Sequence, residues 1–131
     1  MKQLIGKKIK ALAVNKDKSL LSFETENEQV NFSVKGDCCS QSWFADINGV
    51  YALLGGTVVN VEEVSMEGYN VEDGRTRQDS DCAYGYKIRT DKGDADVVFR
   101  NSSNGYYGGW LYEGPKEAPT GMTSIKDDWR A

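Results

Sequence analysis

A mainly β fold (α+β at most) is predicted: an antiparallel sheet of about six to seven short strands, one short helix and an extended C-terminal tail. Three observations carry this. Fourteen glycines against two prolines make the 131-residue chain rich in turns. Val30, Phe32 and Val34 alternate with Asn31, Ser33 and Lys35, the period-two pattern of a half-buried strand. Asp91-Lys92-Gly93, set between two β-prone runs, is a hairpin signal. The length suits one domain, read as residues 1–113, with 114–131 as the tail.

The elements follow in order. Lys8 to Val14 sets Ile9, Ala11 and Ala13 against Lys8 and Lys10, and Asn15-Lys16-Asp17-Lys18 ends the run, as a strand and turn should. Leu20 to Glu24 returns, and with the Val30 strand these make a meander. Strict alternation lapses over Trp43 to Ile47, where no strand is assigned. Asp46 or Asn48 is a candidate cap for a short helix through Val50, Tyr51, Ala52, Leu53 and Leu54, stopped by Gly55-Gly56 in a left-handed conformation. Thr57 to Val64 is β-branched and valine-rich, hence a strand. Ser65 to Asp81 is the longest polar interval, with Arg75 and Arg77 and no apolar period; a loop this long suggests a lid, a binding loop or a partner-contacting arm. Ala83 to Thr90 and Asp94 to Asn101 are the hairpin strands, and Trp110 to Glu113 is the last strand. Pro115 and Pro119 punctuate the tail, with Trp129 placed to dock on the body or on another subunit.

Composition excludes several function classes. Sixteen basic and 20 acidic residues leave a net charge of −4, which argues against bulk neutralisation of nucleic-acid phosphates. Histidine is absent, removing the commonest general base and the usual zinc ligand. No apolar run has the length of a membrane span, and Met1-Lys2-Gln3-Leu4-Ile5-Gly6 lacks the core of a signal peptide, so a soluble cytosolic protein is expected. Cys38, Cys39 and Cys82 are an odd number and read as buried thiols. Asp79 with Asp81, and Asp94 with Asp96, have a spacing that puts two carboxylates on one strand face, a cation or water-activating arrangement if they are not simply solvated. No catalytic residue, metal site or cofactor is assigned, and no enzyme activity is expected.

The most informative stretch is Asn101 to Gly109, Asn-Ser-Ser-Asn-Gly-Tyr-Tyr-Gly-Gly, which joins flexible backbone, small polar groups and two rings after a hydrophobic run. Glycine lets main-chain N–H groups turn toward an anion, Ser103 and Asn104 add donors beside Gly105, and Tyr106 and Tyr107 offer faces for a base. A plain connection between strands has the same composition. Arg100 before the loop and Arg89 across the hairpin are candidate phosphate ligands, Arg89 being set roughly level with the middle of the partner strand; outward-facing residues paired with acids are the alternative. The binding set is therefore Arg89, Arg100, Ser103, Asn104, Gly105, Tyr106 and Tyr107. Tyr84, Tyr86 and Trp110 join Tyr106 and Tyr107 as a potential stacking cluster.

Asp37-Cys38-Cys39, then Leu54-Gly55-Gly56-Thr57 leading to Glu62-Glu63, then Ser103-Asn104-Gly105-Tyr106-Tyr107, resemble a family of small tailed-phage and prophage proteins over roughly residues 5 to 113. The chain is also similar to the anti-Thoeris sponges, phage proteins that oligomerise and sequester cyclic ADP-ribose-type signals without cleaving them. The resemblance implies a counter-defence protein of the host cytoplasm, a homo-oligomer with a nucleotide-type ligand and no membrane partner. The alternative is an inhibitor or regulator that binds a host protein directly, with Trp43, Trp110 or Trp129 as anchors.

Overall fold

The alternating segments near the amino terminus pair as consecutive antiparallel strands. A computed structural model describes residues 1–37, 39–105 and 108–131. Among them are β1 (Ile9–Val14), β2 (Leu20–Thr25), β3 (Gln29–Gly36), β4 (Gln41–Asn48), β5 (Val58–Val64), β6 (Ser80–Thr90), β7 (Gly93–Ser103), β8 (Gly109–Glu113), β9 (Thr123–Ile125) and β10 (Trp129–Arg130). A 3-10 turn spans Lys2–Leu4, and α1 (Val50–Leu53) is a single helical turn. The fold is mainly β, as expected. It has two five-stranded antiparallel sheets rather than one of six to seven strands, in the orders β8-β3-β2-β1-β9 and β10-β4-β7-β6-β5.

The strands that sequence patterning passed over have physical reasons to be hidden. In β4, Trp43, Phe44 and Ala45 are all buried, and the register with β7 slips between Phe44 and Asp46. Phe44 and Ile47 face the core, the polar segment before β6 covers Trp43 from the other side, and the slip at Ala45 breaks the period before Asp46, the polar residue of the outer face. β9 and β10 have three residues and two, too few to show alternation at all.

The expected tail does more than extend. It runs beside β3, where Asn31 Nδ2 donates to the Pro115 carbonyl at 2.9 Å and Ser33 Oγ to that of Gly114 at 2.7 Å. It then lays β9 on the free side of β1 and β10 on the free side of β4. The helix cap also comes from here: neither Asp46 nor Asn48 caps α1. Gly49 occupies the cap position at φ 75°, and the Val50 N–H donates to Asp128 Oδ1 at 2.9 Å. Gly55, at φ 81°, does follow the turn in the expected left-handed conformation.

The core lies between the sheets, with Leu12, Phe23, Phe32 and Val34 on one side and Phe44, Ile47, Val97 and Phe99 on the other. Phe23 meets Phe32 edge to face at 5.8 Å, the preferred geometry of ring quadrupoles. Cys39 and Cys82 are exposed, correcting the expectation of buried thiols: Cys39 sits in the turn after β3 at φ 73°, and Cys82 on a part of β6 that β5 does not reach. Cys38 lies outside the described residues. No helix among the described residues is long and apolar enough to cross a membrane.

Candidate functional site

The hairpin formed by β6 and β7 positions the site. Thr90 pairs with Gly93 and the ladder runs without slippage to Ser80 and Ser103, so Tyr84 stands across from Phe99 and Tyr86 across from Val97, on the core face. The Tyr84 and Phe99 rings stack at 4.8 Å and 15°, and Tyr86 and Phe99 at 6.4 Å and 21°. The ladder between β5 and β6 ends at Val64 and Gly85, five residues short of the start of β6. Among the described residues no strand fills the remaining space toward β8, and a cleft of about 390 Å³ opens there. That is within the usual range for small-molecule sites.

Rings and backbone line much of it: Tyr84, Tyr86 and Phe99 from the hairpin, Gly109, Trp110 and Leu111 from β8, and Glu63, Ser65 and Met66 at the end of β5. The Gly109 N–H donates to the Tyr84 hydroxyl at 3.4 Å, tying the two sheets together across the cleft. Two lining glycines are closely approached, Gly109 by atoms that cannot easily shift and Gly85 by a flexible methionine. A Cβ on Gly109 would stand 2.5 Å from Ser42 Oγ and 2.9 Å from Asn101 Cβ, and one on Gly85 would stand 2.4 Å from Met66 Sδ. Among the described residues Glu63 is the one carboxylate of the lining. The Tyr86 hydroxyl donates to its Oε1 at 3.2 Å, and burial, then the charge and hydrogen bond of Glu63, push the phenol up to about 12.

The stacking cluster expected from sequence is thus partly assembled, since Tyr84, Tyr86 and Trp110 border one cleft. The other expected residues separate. Arg89 stands opposite Asp94 at the turn end of the hairpin, not level with the middle of its partner strand, and pairs with that carboxylate at 3.1 Å, both side chains largely exposed. Arg100 is six residues further along β7, about 20 Å at strand rise. Lying between Phe99 and Asn101, it faces away from the cleft. Ser103 is buried and accepts the Gly105 N–H on Oγ at 3.0 Å, while Asn104 and Gly105 are exposed at the end of β7. Tyr106 and Tyr107 lie outside the described residues.

Arg100 is completely buried, and its donors are engaged: Nη1 with Asp73 Oδ1 at 2.8 Å, Nη2 with Asp81 Oδ2 at 2.6 Å and the Val71 carbonyl at 2.6 Å, and Nε with Asp81 Oδ1 at 3.3 Å. Arg75 joins the same cluster, donating to Asp73 Oδ2 at 2.5 Å, Asp46 Oδ1 at 3.2 Å and the Ala45 carbonyl at 2.8 Å. Tyr69 donates its hydroxyl to Asp46, and the Arg77 guanidinium lies 4.2 Å from the centre of the Trp43 ring. Hydrogen bonds from Arg75 and then Arg100, against the opposing effect of burial, hold the Asp73 carboxyl well below the usual carboxylate range. The long polar interval is therefore strapped across the outer face of the second sheet, and only its first residues, Ser65 and Met66, reach the cleft. Of the paired acids, Asp81 serves Arg100 and Asp94 serves Arg89. Among the described residues no cluster of three metal-ligating side chains forms.

Sequence reasoning did not single out Phe99 or Met66. Phe99 was legible as the last inward residue of the Ala95, Val97, Phe99 alternation, and it stands directly across from Tyr84. Met66 carried no periodic signal, because it belongs to the segment that leaves the sheet.

The chain belongs to the family described as a domain of unknown function (DUF7448), which residues 2–112 match. It is similar to an uncharacterized protein of Acanthamoeba polyphaga mimivirus, 35% identical over 85 residues, covering 60% of this chain and 63% of the relative. The chain thus spans less than two thirds of that relative's length. No solved structure matches it.

Proposed function

For this member of the DUF7448 family, we propose a virus-encoded capture protein that holds a flat, nucleotide-type ligand by stacking in the cleft between β6 and β8 and leaves it chemically unchanged. One observation carries this reading: Tyr84, Phe99 and Tyr86 present a near-parallel ring stack to a cleft large enough for a base. The viral relative supports a viral origin, and the loop resemblance supports a counter-defence role in the host cytoplasm with a cyclic ADP-ribose-type signal as the ligand. Arg89 and Arg100 are committed to carboxylates, so this reading rests on the rings and not on arginine contacts to phosphate.

A second reading, direct inhibition of a host protein, draws on a different feature. Of the tryptophans expected as anchors, Trp43 is buried and Trp129 is half-buried against the core, which leaves Trp110.

Titration calorimetry with adenosine, cyclic ADP-ribose isomers and cyclic oligonucleotides tests the first reading. Saturable heat with at least one, recovery of that compound intact, and affinity weakened roughly tenfold or more by Tyr84→Ala are expected, since a stacked base is worth about 1–3 kcal/mol. Heat from none would remove signal capture. A pull-down returning one stoichiometric host protein would then favour direct inhibition.

A further inference from the structure

The two sheets have different kinds of margin. β5 slips register between Val58 and Asn60 and carries Glu62 and Glu63, while β9 and β10 have only three and two residues. Bulges, charges and shortness are the usual means by which an edge avoids further pairing. β8 pairs with β3 without slippage, has no lysine or proline, carries its one charge, Glu113, at its end, and is the last strand of its sheet.

Main-chain direction shows which groups face outward. Gly114 N–H donates to the Asn31 carbonyl at 2.9 Å and Asp37 N–H to that of Gly108 at 3.4 Å, so even-numbered positions turn toward β3. Val34, opposite Leu111, sends its N–H the other way, to the Ser19 carbonyl. The N–H and C=O groups of Gly109, Leu111 and Glu113 therefore point to the unpaired side, with Gly109 N–H already directed at Tyr84. This set is symmetric about Leu111. So are the exposed rings, because Trp110 and Tyr112 flank Leu111 on the outward face and are 43% and 45% exposed.

We propose that two copies of this chain associate through β8, antiparallel about a two-fold axis at Leu111. Leu111 faces Leu111 of the second copy in a hydrogen-bonded pair, and Glu113 comes beside Gly109, donating to its carbonyl, where the Tyr84 hydroxyl gives up its contact with the Gly109 N–H. Trp110 meets Tyr112 of the second copy on each side of the axis, at the closer, non-hydrogen-bonded position where side chains approach most. Glu113 faces Gly109, so no like charges are set directly opposite. The register is isologous and closes at two copies. The edge it uses borders the cleft, so the pairing and a ligand held there draw on the same side of β8.

Sedimentation of the full chain at micromolar concentration is expected to give twice the 14.5-kDa chain mass. Trp110→Lys and Tyr112→Lys should each shift the protein to monomer with an unchanged far-UV spectrum, and Tyr51→Lys, at an exposed aromatic away from this edge, should leave the dimer intact. Register is read separately in a background with Cys38, Cys39 and Cys82 changed to serine. A mixture of Trp110→Cys and Tyr112→Cys chains should form the mixed disulfide on mild oxidation, and either chain alone should not. A monomer at every concentration, a dimer indifferent to both lysines, or equal crosslinking of each single variant with itself would overturn the pairing.

Discussion

Replacing Arg100 with methionine tests whether the guanidinium is a ligand-binding group or a structural one. The side chain is fully buried and bridges Asp73 and Asp81, the latter only 2% exposed. Methionine fills much of the volume but leaves Asp81 without its ion pair, whereas Asp73 keeps Arg75 at 2.5 Å. Stranding one partner of a buried pair costs about 3–5 kcal/mol. Against a typical domain stability of about 5–15 kcal/mol this is a large fraction, and for a chain of this length it lowers the melting temperature by roughly 10–20 °C. Urea unfolding followed by tryptophan fluorescence measures it. Arg89→Met, which removes an exposed pair with Asp94, should stay within about 0.5 kcal/mol of the parent and serves as the control. Adding Asp81→Asn to Arg100→Met should recover about 1 kcal/mol or more, because the stranded charge is gone. If Arg100→Met unfolds at the parent's urea midpoint, the guanidinium does not secure the long loop, and its reading as a ligand arginine revives.

The remaining predictions concern the cleft and the helix cap. Tyr86 should titrate near 12 in an ultraviolet pH titration, and Glu63→Gln should move it down toward the ordinary phenol value, since part of the upward push comes from that carboxylate. Because the folded value is raised, the contribution of Tyr86 to stability is present below about pH 10 and is lost as pH rises toward about 12. A Tyr86 titration unmoved by Glu63→Gln would break the assigned contact. Asp128→Ala removes the acceptor of the Val50 N–H and should cost about 0.5–2 kcal/mol in thermal or chemical unfolding. Asp46→Asn should leave the cap untouched, although it weakens the cluster around Arg75.

How much of this was legible in the sequence depends on what covers each face. Strands with one face on the core and one toward solvent announced themselves, as with Val30, Phe32 and Val34. β4 did not, because the segment containing Arg75 and Arg77 lies over its other face and brings Trp43 and Ala45 inside. The same covering misled the reading of Arg100. A guanidinium next to a glycine-rich loop looks available for phosphate, and only the long-range return of Asp73 and Asp81 shows it to be occupied. The Asp91-Lys92-Gly93 turn was local and therefore readable, yet placing Arg89 relative to its partner needed the pairing register, which puts Asp94 opposite. The cleft was half visible: Tyr84, Tyr86 and Trp110 stood out as rings, while Glu63 and Met66 reach it only because the ladder between β5 and β6 ends at Val64 and Gly85.

The closing segment lays one short strand on each sheet, β9 beside β1 and β10 beside β4, and supplies the Asp128 acceptor to the turn between β4 and β5. During synthesis those two margins stay unhemmed until residues 123–130 have emerged, well after every other strand of both sheets is available. Chaperone engagement or misassociation of nascent chains should therefore concentrate at β1 and β4. A fragment cut at the family-matched boundary would inherit both raw seams permanently.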